Sequence, residues 1–210
     1  GPFGEYTGYM GPAAMAYVGD VTCITLRNRP IVQAFLSQMP PSESSCIRSI
    51  GRESTLAKHL KEDLRLPVRD VHLLEHGGAA AYLVISIRKT HPVQPRTVMF
   101  AAWAYAPQFG KFTVVVDDDI DVRDPDDVNW ALSFRVQPES DAFIMSGTAA
   151  VSLDPSQAAA EVRQEESTRR VSSKLGIDAT RKHQFPPLAL PPREHLARVR
   201  QEWKKYGFRD

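Results

Sequence analysis

The chain has 210 residues, of which 42% are hydrophobic and 24% are charged, and this ordinary composition argues against wholesale disorder. Its 26 Lys and Arg against 25 Asp and Glu leave a net charge of +1, which gives no reason to expect nucleic acid or an anionic membrane as the main partner. No apolar run approaches the roughly 20 residues that span a bilayer. The two cysteines, Cys23 and Cys46, make neither a disulfide framework nor a zinc site, so we expect a reduced, cytoplasmic protein.

The first part of the chain predicts a strand followed by a long helix. Residues 21–27 are rich in β-branched side chains and predict a strand with Cys23 in the core. Ser42 is a suitable N-cap for a helix that runs to about Leu64. Four apolar side chains recur near one face of this helix: Ile47, Ile50, Leu56 and Leu60.

The middle of the chain alternates strands with helices. Residues 68–74 and 81–88 predict a hairpin or two neighbouring strands. Residues 96–105 are apolar nearly all round and predict a buried helix, whereas 111–116 is a short apolar run typical of a central strand. Asp124 then caps a further helix whose first turn is acidic. This alternation predicts an α/β or α+β layer fold.

The pattern weakens after Pro138. Residues 139–159 are loop-like, and the charged run 161–170 is typical of a mobile segment or a solvated helix. Two Pro-Pro pairs mark a linker before a last amphipathic helix over residues 193–206. A helix tethered so loosely is expected to pack on a second subunit.

The first residues place a single carboxylate in a turn. Gly1, Pro2 and Gly4 surround Glu5, and a carboxylate held in this way can act as a general acid if burial or a second carboxylate raises its pKa. The short Pro-x-Gly-Glu pattern is also a common turn, and taken alone it favours a structural role.

Two other motifs have competing interpretations. The acidic residues of 117–121 could line a Mg²⁺ site at the end of a central strand, although Val122 and Val128 occupy the Gly and Glu positions of an EF-hand. A solvated strand end that leads into a helix is the interpretation we favour. Residues 172–180 contain Lys174, which could hold a phosphate, but they lack the Gly-rich loop of a P-loop.

Four segments, in this order and spacing, together resemble the UbiD family of prenylated-FMN-dependent decarboxylases, which includes ferulic acid decarboxylase and the ubiquinone-pathway carboxy-lyase. They are residues 1–9 (GPFGEYTGY), 111–122 (KFTVVVDDDIDV), 127–132 (DVNWAL) and 173–180 (SKLGIDAT). The resemblance implies reversible (de)carboxylation of an unsaturated or aromatic carboxylic acid, with prenylated FMN as the electron sink. It also implies that Mn²⁺ and K⁺ hold the cofactor phosphate.

The resemblance further implies the domain organisation. Residues 1–30 would end a split β-barrel domain that binds the cofactor, and 31–65 would be a connecting helix. Residues 66–210 would form a C-terminal α/β sandwich domain that caps the active site and builds the oligomer, with 186–210 as a tail helix. The family's other catalytic acid, its Arg and the metal ligands fall before Gly1. We therefore expect this chain to be inactive until joined to the missing N-terminal part, in a homodimer or higher homo-oligomer.

Five site residues can be carried over from the family. Glu5 would protonate the carbon that loses CO₂, and Tyr6, Arg48, Val151 and Leu153 would shape the substrate pocket. The guanidinium of Arg48 would suit a substrate with a second acidic or strongly polar group, although an exposed helix Arg is the simpler alternative.

Two other classes of function remain open at this point. The chain could be a non-catalytic oligomerisation or assembly module of such an enzyme, although Glu5 stands in an intact motif. A flavin-reductase-type protein shares the split barrel, but the Asp-rich strand and residues 173–180 do not belong to that pattern.

Overall fold

A computed structural model of the chain describes residues 2–11, 13, 15–151, 153–157 and 171–207, with the exception of the Arg193 side chain. Five strands form one mixed sheet: β1 (Val68–Leu73), β2 (Tyr82–Ile87), β3 (Phe112–Asp117), β4 (Ala142–Ala149) and β5 (Val171–Ala179). Their order across the sheet is β1-β2-β3-β5-β4. β2, β3 and β5 run parallel, and an antiparallel strand lies at each edge. The predicted mixed α/β fold is confirmed.

Helices cover both faces of this sheet. They are α1 (Glu43–Lys58), α2 (Gln94–Tyr105), α3 (Pro125–Arg135), the short α4 (Pro138–Asp141) and α5 (Arg193–Gln201). A π-helical turn (His59–Asp63) extends α1, and 3₁₀ turns cover Glu75–Gly77 and Trp203–Tyr206. Within these described ranges, no helix is long and apolar enough to cross a membrane.

The central strand β3 supplies side chains to two separate hydrophobic clusters. Val115 packs on the side of α1 and α2, with Met99 and Trp103. Val114 and Val116 pack on the opposite side with residues of α3. Because both faces are covered, the strand is an apolar run, as the sequence predicted.

The predicted helix from Ser42 is confirmed, but its buried face is only partly as expected. The Ser42 hydroxyl accepts a hydrogen bond from the Ser45 amide, in a reciprocal capping box. Leu56 and Leu60 are buried, whereas Ile47 and Ile50 are 58% and 70% exposed. The inward stripe continues seven residues before Leu56 with Ser49 and four residues before that with Ser45, and both of these small serines are buried as well. A hydrophobicity pattern cannot identify a stripe made partly of serine.

Three sequence interpretations differ from the structure or lie outside it. Residues 21–27 form no strand: they have no ladder partner among the described residues, and Cys23 is exposed rather than in the core. Residues 139–159 are not all loop, because α4 and β4 lie there and β4 pairs with β5. The charged run 161–170 lies outside the described residues. Residues 172–180 are mostly strand β5, next to the central strand.

The acidic run after β3 is paired with arginine. The Arg135 side chain, which is 1% exposed, donates to Asp117 at 3.0 Å and to both carboxylate oxygens of Asp119 at 2.8 and 2.9 Å. The Arg181 amide also donates to Asp117, at 2.8 Å. In the part of the chain that the structure describes, no three His, Cys, Asp or Glu side chains are grouped to hold a metal ion. These two acids therefore close the end of β3 onto α3, rather than being solvated.

Arg135→Met is expected to lower the free energy of unfolding by about 3–5 kcal/mol, because it removes the buried guanidinium that pairs with both Asp117 and Asp119. Arg88 is exposed, so Arg88→Met is a control that should change stability by less than about 0.5 kcal/mol. Urea unfolding at pH 7 measures both variants. Equal stability of Arg135→Met and the parent protein would contradict this assignment.

The ion pair between Arg135 and Asp119 predicts that the stability of the protein depends on pH. The hydrogen bond from Arg135 is the largest influence on the pKa of Asp119 and, against the opposing effect of burial, lowers it below its ordinary 3.8. The stabilisation is thus fully present above pH 3.8 and is lost as the pH falls through the lower pKa of the folded state. The stability difference between Arg135→Met and the parent should therefore shrink in acid unfolding series below that pH.

Candidate active site

A tight turn holds Glu5. The Glu5 amide donates to the Tyr9 carbonyl at 2.9 Å, and the Gly8 amide donates back to the Glu5 carbonyl at 2.9 Å. The half-buried Glu5 side chain lies against Gly11, where an added Cβ would be 3.1 Å from Oε1. No hydrogen bond or ion pair from the described residues to this carboxylate is found, so the turn holds Glu5 through its backbone.

The next side chain, Tyr6, packs against Gly78, where any larger residue would collide with the Tyr6 ring. Gly78 has a φ of +65°, and an added Cβ would lie 2.7 Å from Cδ2 of Tyr6. Burial raises the pKa of the Tyr6 phenol above its ordinary 10.0, although the charges of Arg48 and Arg52 oppose this effect. The phenol is therefore neutral at physiological pH and can donate a hydrogen bond.

Helix α1 presents two guanidinium groups to this region. Arg48 donates from Nε to the Ser44 carbonyl at 3.0 Å, and its Cζ lies 4.5 Å from the centre of the Tyr6 ring. Arg52 donates to the Ala79 carbonyl at 2.8 Å, which ties α1 to the turn that contains Gly78. Arg48 thus packs on Tyr6 from the side of the helix, and Arg52 holds the helix against the turn on which the ring rests.

A cavity of about 170 Å³ opens beside Tyr6, between the first turn, the 76–81 turn and the 151–155 loop. Its lining includes Tyr6, Thr7, Lys111, Val151 and Asp154. The hydroxyl of Thr7 is buried and has no hydrogen-bond partner among the described residues. Because buried polar groups are normally hydrogen-bonded, this residue of the cavity wall is a candidate contact for a polar atom of a ligand.

An ion pair anchors the loop that carries Val151. Lys111 Nζ lies 2.8 Å from Asp154 Oδ2, and Lys111 also donates to the Ser156 hydroxyl. Burial raises the pKa of Asp154, but hydrogen bonds from Lys111 and Ser156 outweigh it and leave the pKa below the ordinary value. Asp154 is therefore ionised at neutral pH and holds the loop against the start of β3.

The structure brings most of the five candidate residues together. Tyr6 and Val151 line the cavity, Arg48 stacks on Tyr6, and Glu5 precedes Tyr6 in the turn. Leu153 is half-buried in a left-handed backbone conformation, with a φ of +64°, and is not part of the cavity lining.

Among the cavity residues that were not identified from the sequence are Thr7, Lys111 and Asp154. Thr7 and Lys111 stand inside the motifs quoted above, so their position was a usable signal. No local pattern marks Asp154, because it is defined only by its contact with Lys111, 43 residues earlier.

The chain belongs to the carboxy-lyase family that this fold and site define. Residues 45–179 match the family model described as 3-octaprenyl-4-hydroxybenzoate carboxy-lyase C-terminal domain, and residues 1–40 match the Rift-related domain of the same carboxy-lyase. An uncharacterised protein of Synechocystis, sll0936, is 30% identical over 218 residues, which are 100% of this chain and 41% of the relative.

Solved structures give the same family. The UbiD-class enzyme HmfF from Pelotomaculum thermopropionicum, in complex with FMN, matches with a TM-score of 0.77 and 33% identity over 94% of this chain and 43% of its own. An evolved dimeric form of HmfF, in complex with prFMN, matches with a TM-score of 0.70 and 32% identity, over 91% of this chain and 38% of its own. Vanillic acid decarboxylase of Sedimentibacter hydroxybenzoicus matches with a TM-score of 0.73 and 25% identity, over 98% of this chain and 43% of its own. The chain therefore spans about two fifths of the length of these relatives.

Gly78→Ala tests the contact that positions Tyr6. The variant should lose about 2–4 kcal/mol of stability, from backbone strain at positive φ together with the collision with the ring. Gly207→Ala is the control, because Gly207 has a φ of +81° but nothing lies within 4 Å of an added Cβ. In a Tyr6→Ala background, Gly78→Ala should cost only the strain, and urea unfolding of the four-member cycle measures the coupling. An absence of coupling would contradict the contact.

Proposed function

We propose that this chain is the C-terminal portion of a reversible (de)carboxylase that acts on an unsaturated or aromatic carboxylic acid through prenylated FMN. Membership of the carboxy-lyase family supports this proposal, as do the flavin complexes of HmfF. The observation that carries it is the cavity lined by the neutral phenol of Tyr6 and the apolar Val151, with Arg48 stacked on the Tyr6 ring and Glu5 next to Tyr6 in the turn. Each of these groups has a task in decarboxylation.

The residues present fit a flavin-type cofactor at the edge of the cavity. The unpartnered Thr7 hydroxyl and the buried Val151 side chain would contact it, and Lys111 would hold the Val151 loop in place through Asp154. When bound, prenylated FMN supplies the electron sink for loss of CO₂. The rest of such a protein would supply most of the cofactor contacts, together with the ligands for Mn²⁺ and K⁺.

The proposed roles follow from the chemistry of the side chains. Glu5 delivers a proton to the carbon that loses CO₂ and takes it back in the reverse direction. Tyr6 orients the substrate through its neutral phenol, and Val151 excludes water. Arg48 keeps NH1 available while Nε and NH2 are bound to Ser44, so it can recognise a second acidic or strongly polar group of the substrate.

We further propose that the active protein is a cytoplasmic homo-oligomer. In it, residues 1–30 complete a cofactor-binding domain, and residues 31–65 connect this domain to the C-terminal domain. Residues 66–210 form the C-terminal domain, which caps the active site and builds the oligomer. Exposed apolar side chains before α5 support the assembly role, since Leu188 and Leu190 are 49% and 66% exposed. A dimeric form among the HmfF structures is consistent with it.

Glu5→Gln in the complete protein should slow CO₂ release and substrate H/D exchange at the reacting carbon by about 10²–10⁴-fold, because the amide cannot donate a proton as a carboxylic acid does. Glu62→Gln, at an exposed position, is the matched control and should keep full rates. Both reactions are followed with the same aromatic acid by gas release and by NMR. Undiminished exchange in Glu5→Gln would overturn the assignment.

Arg48→Met should weaken binding of aromatic acids that carry a second acidic group by at least about tenfold, and of simple monoacids much less. The effect should fall on KM rather than on kcat, because this contact is the same in the ground state and the transition state. Arg88→Met serves as the control. Equal losses for both classes of acid would show that Arg48 is not a specificity residue.

A further inference from the structure

A second groove lies on the α2 side of the sheet and shares no lining residue with the cavity beside Tyr6. Its volume is about 370 Å³, and it is bounded by α2, the segment after α2, and strands β4 and β5. Its walls are mainly apolar or aromatic: Phe100, Trp103, Ala104, Pro107, Met145 and Ala149. Such a volume suits a small molecule with an aromatic or apolar body.

The polar end of this groove is the ammonium group of Lys174. Lys174 is 3% exposed, and its Nζ donates to the Phe109 carbonyl. No carboxylate of the described residues pairs with it, and the groove lining contains no other charged or titratable side chain. Burial alone lowers its pKa to about 8. Two of the three N–H donors therefore lack a protein acceptor in the described part of the chain.

A β-bulge brings a second unpartnered group to the same groove. Met145 pairs with Lys174 and Ser146 with Ser173, but the register then shifts, so that Thr148 pairs with Ser172. Thr148 thus shares the sheet face of Lys174, whereas simple alternation would place it on the other face. Its hydroxyl is buried and has no hydrogen-bond partner among the described residues. The bulge residue, Gly147, has a φ of +74°.

We propose that this groove is a second ligand site, which binds a small aromatic monocarboxylate through the Lys174 ammonium and the Thr148 hydroxyl. A carboxylate is the complementary group, because it supplies the missing counter-charge and accepts hydrogen bonds from both donors. The ring of the ligand lies against Trp103 and Met145. The site goes beyond the proposed function, since it contains none of the residues assigned to decarboxylation.

The test is a titration of the complete protein with benzoate, followed by NMR of ¹³C-methyl methionine. Met145 lines the groove, whereas Met39 lies against Gly8 in the turn that carries Tyr6. The two methyl signals, assigned by single Met→Ile substitutions, therefore report on the two sites separately. We expect benzoate to shift the Met145 signal with saturation, and uncharged benzamide to do so at least tenfold more weakly.

Substitutions of Lys174 and Thr148 test whether these two residues donate the hydrogen bonds to the ligand. Lys174→Met should reduce the affinity reported by Met145 at least tenfold, and Thr148→Val several-fold. Thr148→Val removes a buried hydroxyl without a partner and should not harm folding, whereas Lys174→Met relieves the burial of a charge but also removes the hydrogen bond to the Phe109 carbonyl, so urea unfolding checks its stability. Lys58→Met, at an exposed helix position, should have no effect. Arg48→Met alters only the Tyr6 cavity and should leave the Met145 response intact, so failure of this site and failure of the proposed function are distinguishable.

The pH dependence supplies an independent criterion. Burial lowers the pKa of Lys174 to about 8, and only the ammonium form binds the carboxylate, so the dissociation constant should be constant below about pH 8 and should rise above it. Lys174→Arg should bind with no such rise up to pH 9.5, because a guanidinium does not titrate there. A Met145 response that is absent in the parent, unchanged in Lys174→Met, or independent of pH in the parent would overturn the proposal.

Discussion

The contact between Tyr6 and Gly78 is the constraint on which the candidate active site depends. The first turn forms an isolated bridge between Gly4 and Met10 and lies against Gln38 and Met39, and Tyr6 connects it to the 76–81 turn and to α1. One side of the ring meets a backbone that has no Cβ, and Arg48 of α1 lies over its face. Because Arg52 also binds the 76–81 turn, helix, turn and ring form one unit. Glu5 takes its position from that unit.

Charged side chains have three different roles in this domain, and their partners decide which. Arg135 is buried with two carboxylates and closes the end of the central strand. Arg48 is half-buried, satisfied on one side by Ser44 and open on the other. Lys174 is buried with a single carbonyl acceptor in the described residues. A buried cation whose charge is matched by carboxylates stabilises the fold, whereas a cation beside a cavity that lacks a carboxylate partner is available to a ligand.

Sequence reasoning was most successful where burial is uniform or where a cap has a fixed chemistry. The apolar run of β3, the Ser42 and Asp124 caps and the apolar helix α2 follow from local composition. It failed where pairing decides the structure. Strand β4 has a mixed composition and exists because β5 offers it an edge. Residues 21–27 have strand-like composition, yet no partner strand lies among the described residues.

The sequence by itself determined the family and the alternation of strands and helices, and it proposed a short set of candidate site residues that begins with Glu5 and Tyr6. These properties follow from local residue patterns and from the order of the motifs, which can be identified without a three-dimensional structure. Only the tertiary structure decided which distant groups meet: Arg48 on Tyr6, Asp154 on Lys111, and Thr148 beside Lys174 on one face. The physical reason is that an ion pair, a missing Cβ or a one-residue bulge acts through space. The effect of each of these features depends on a distant partner residue that the local sequence does not identify.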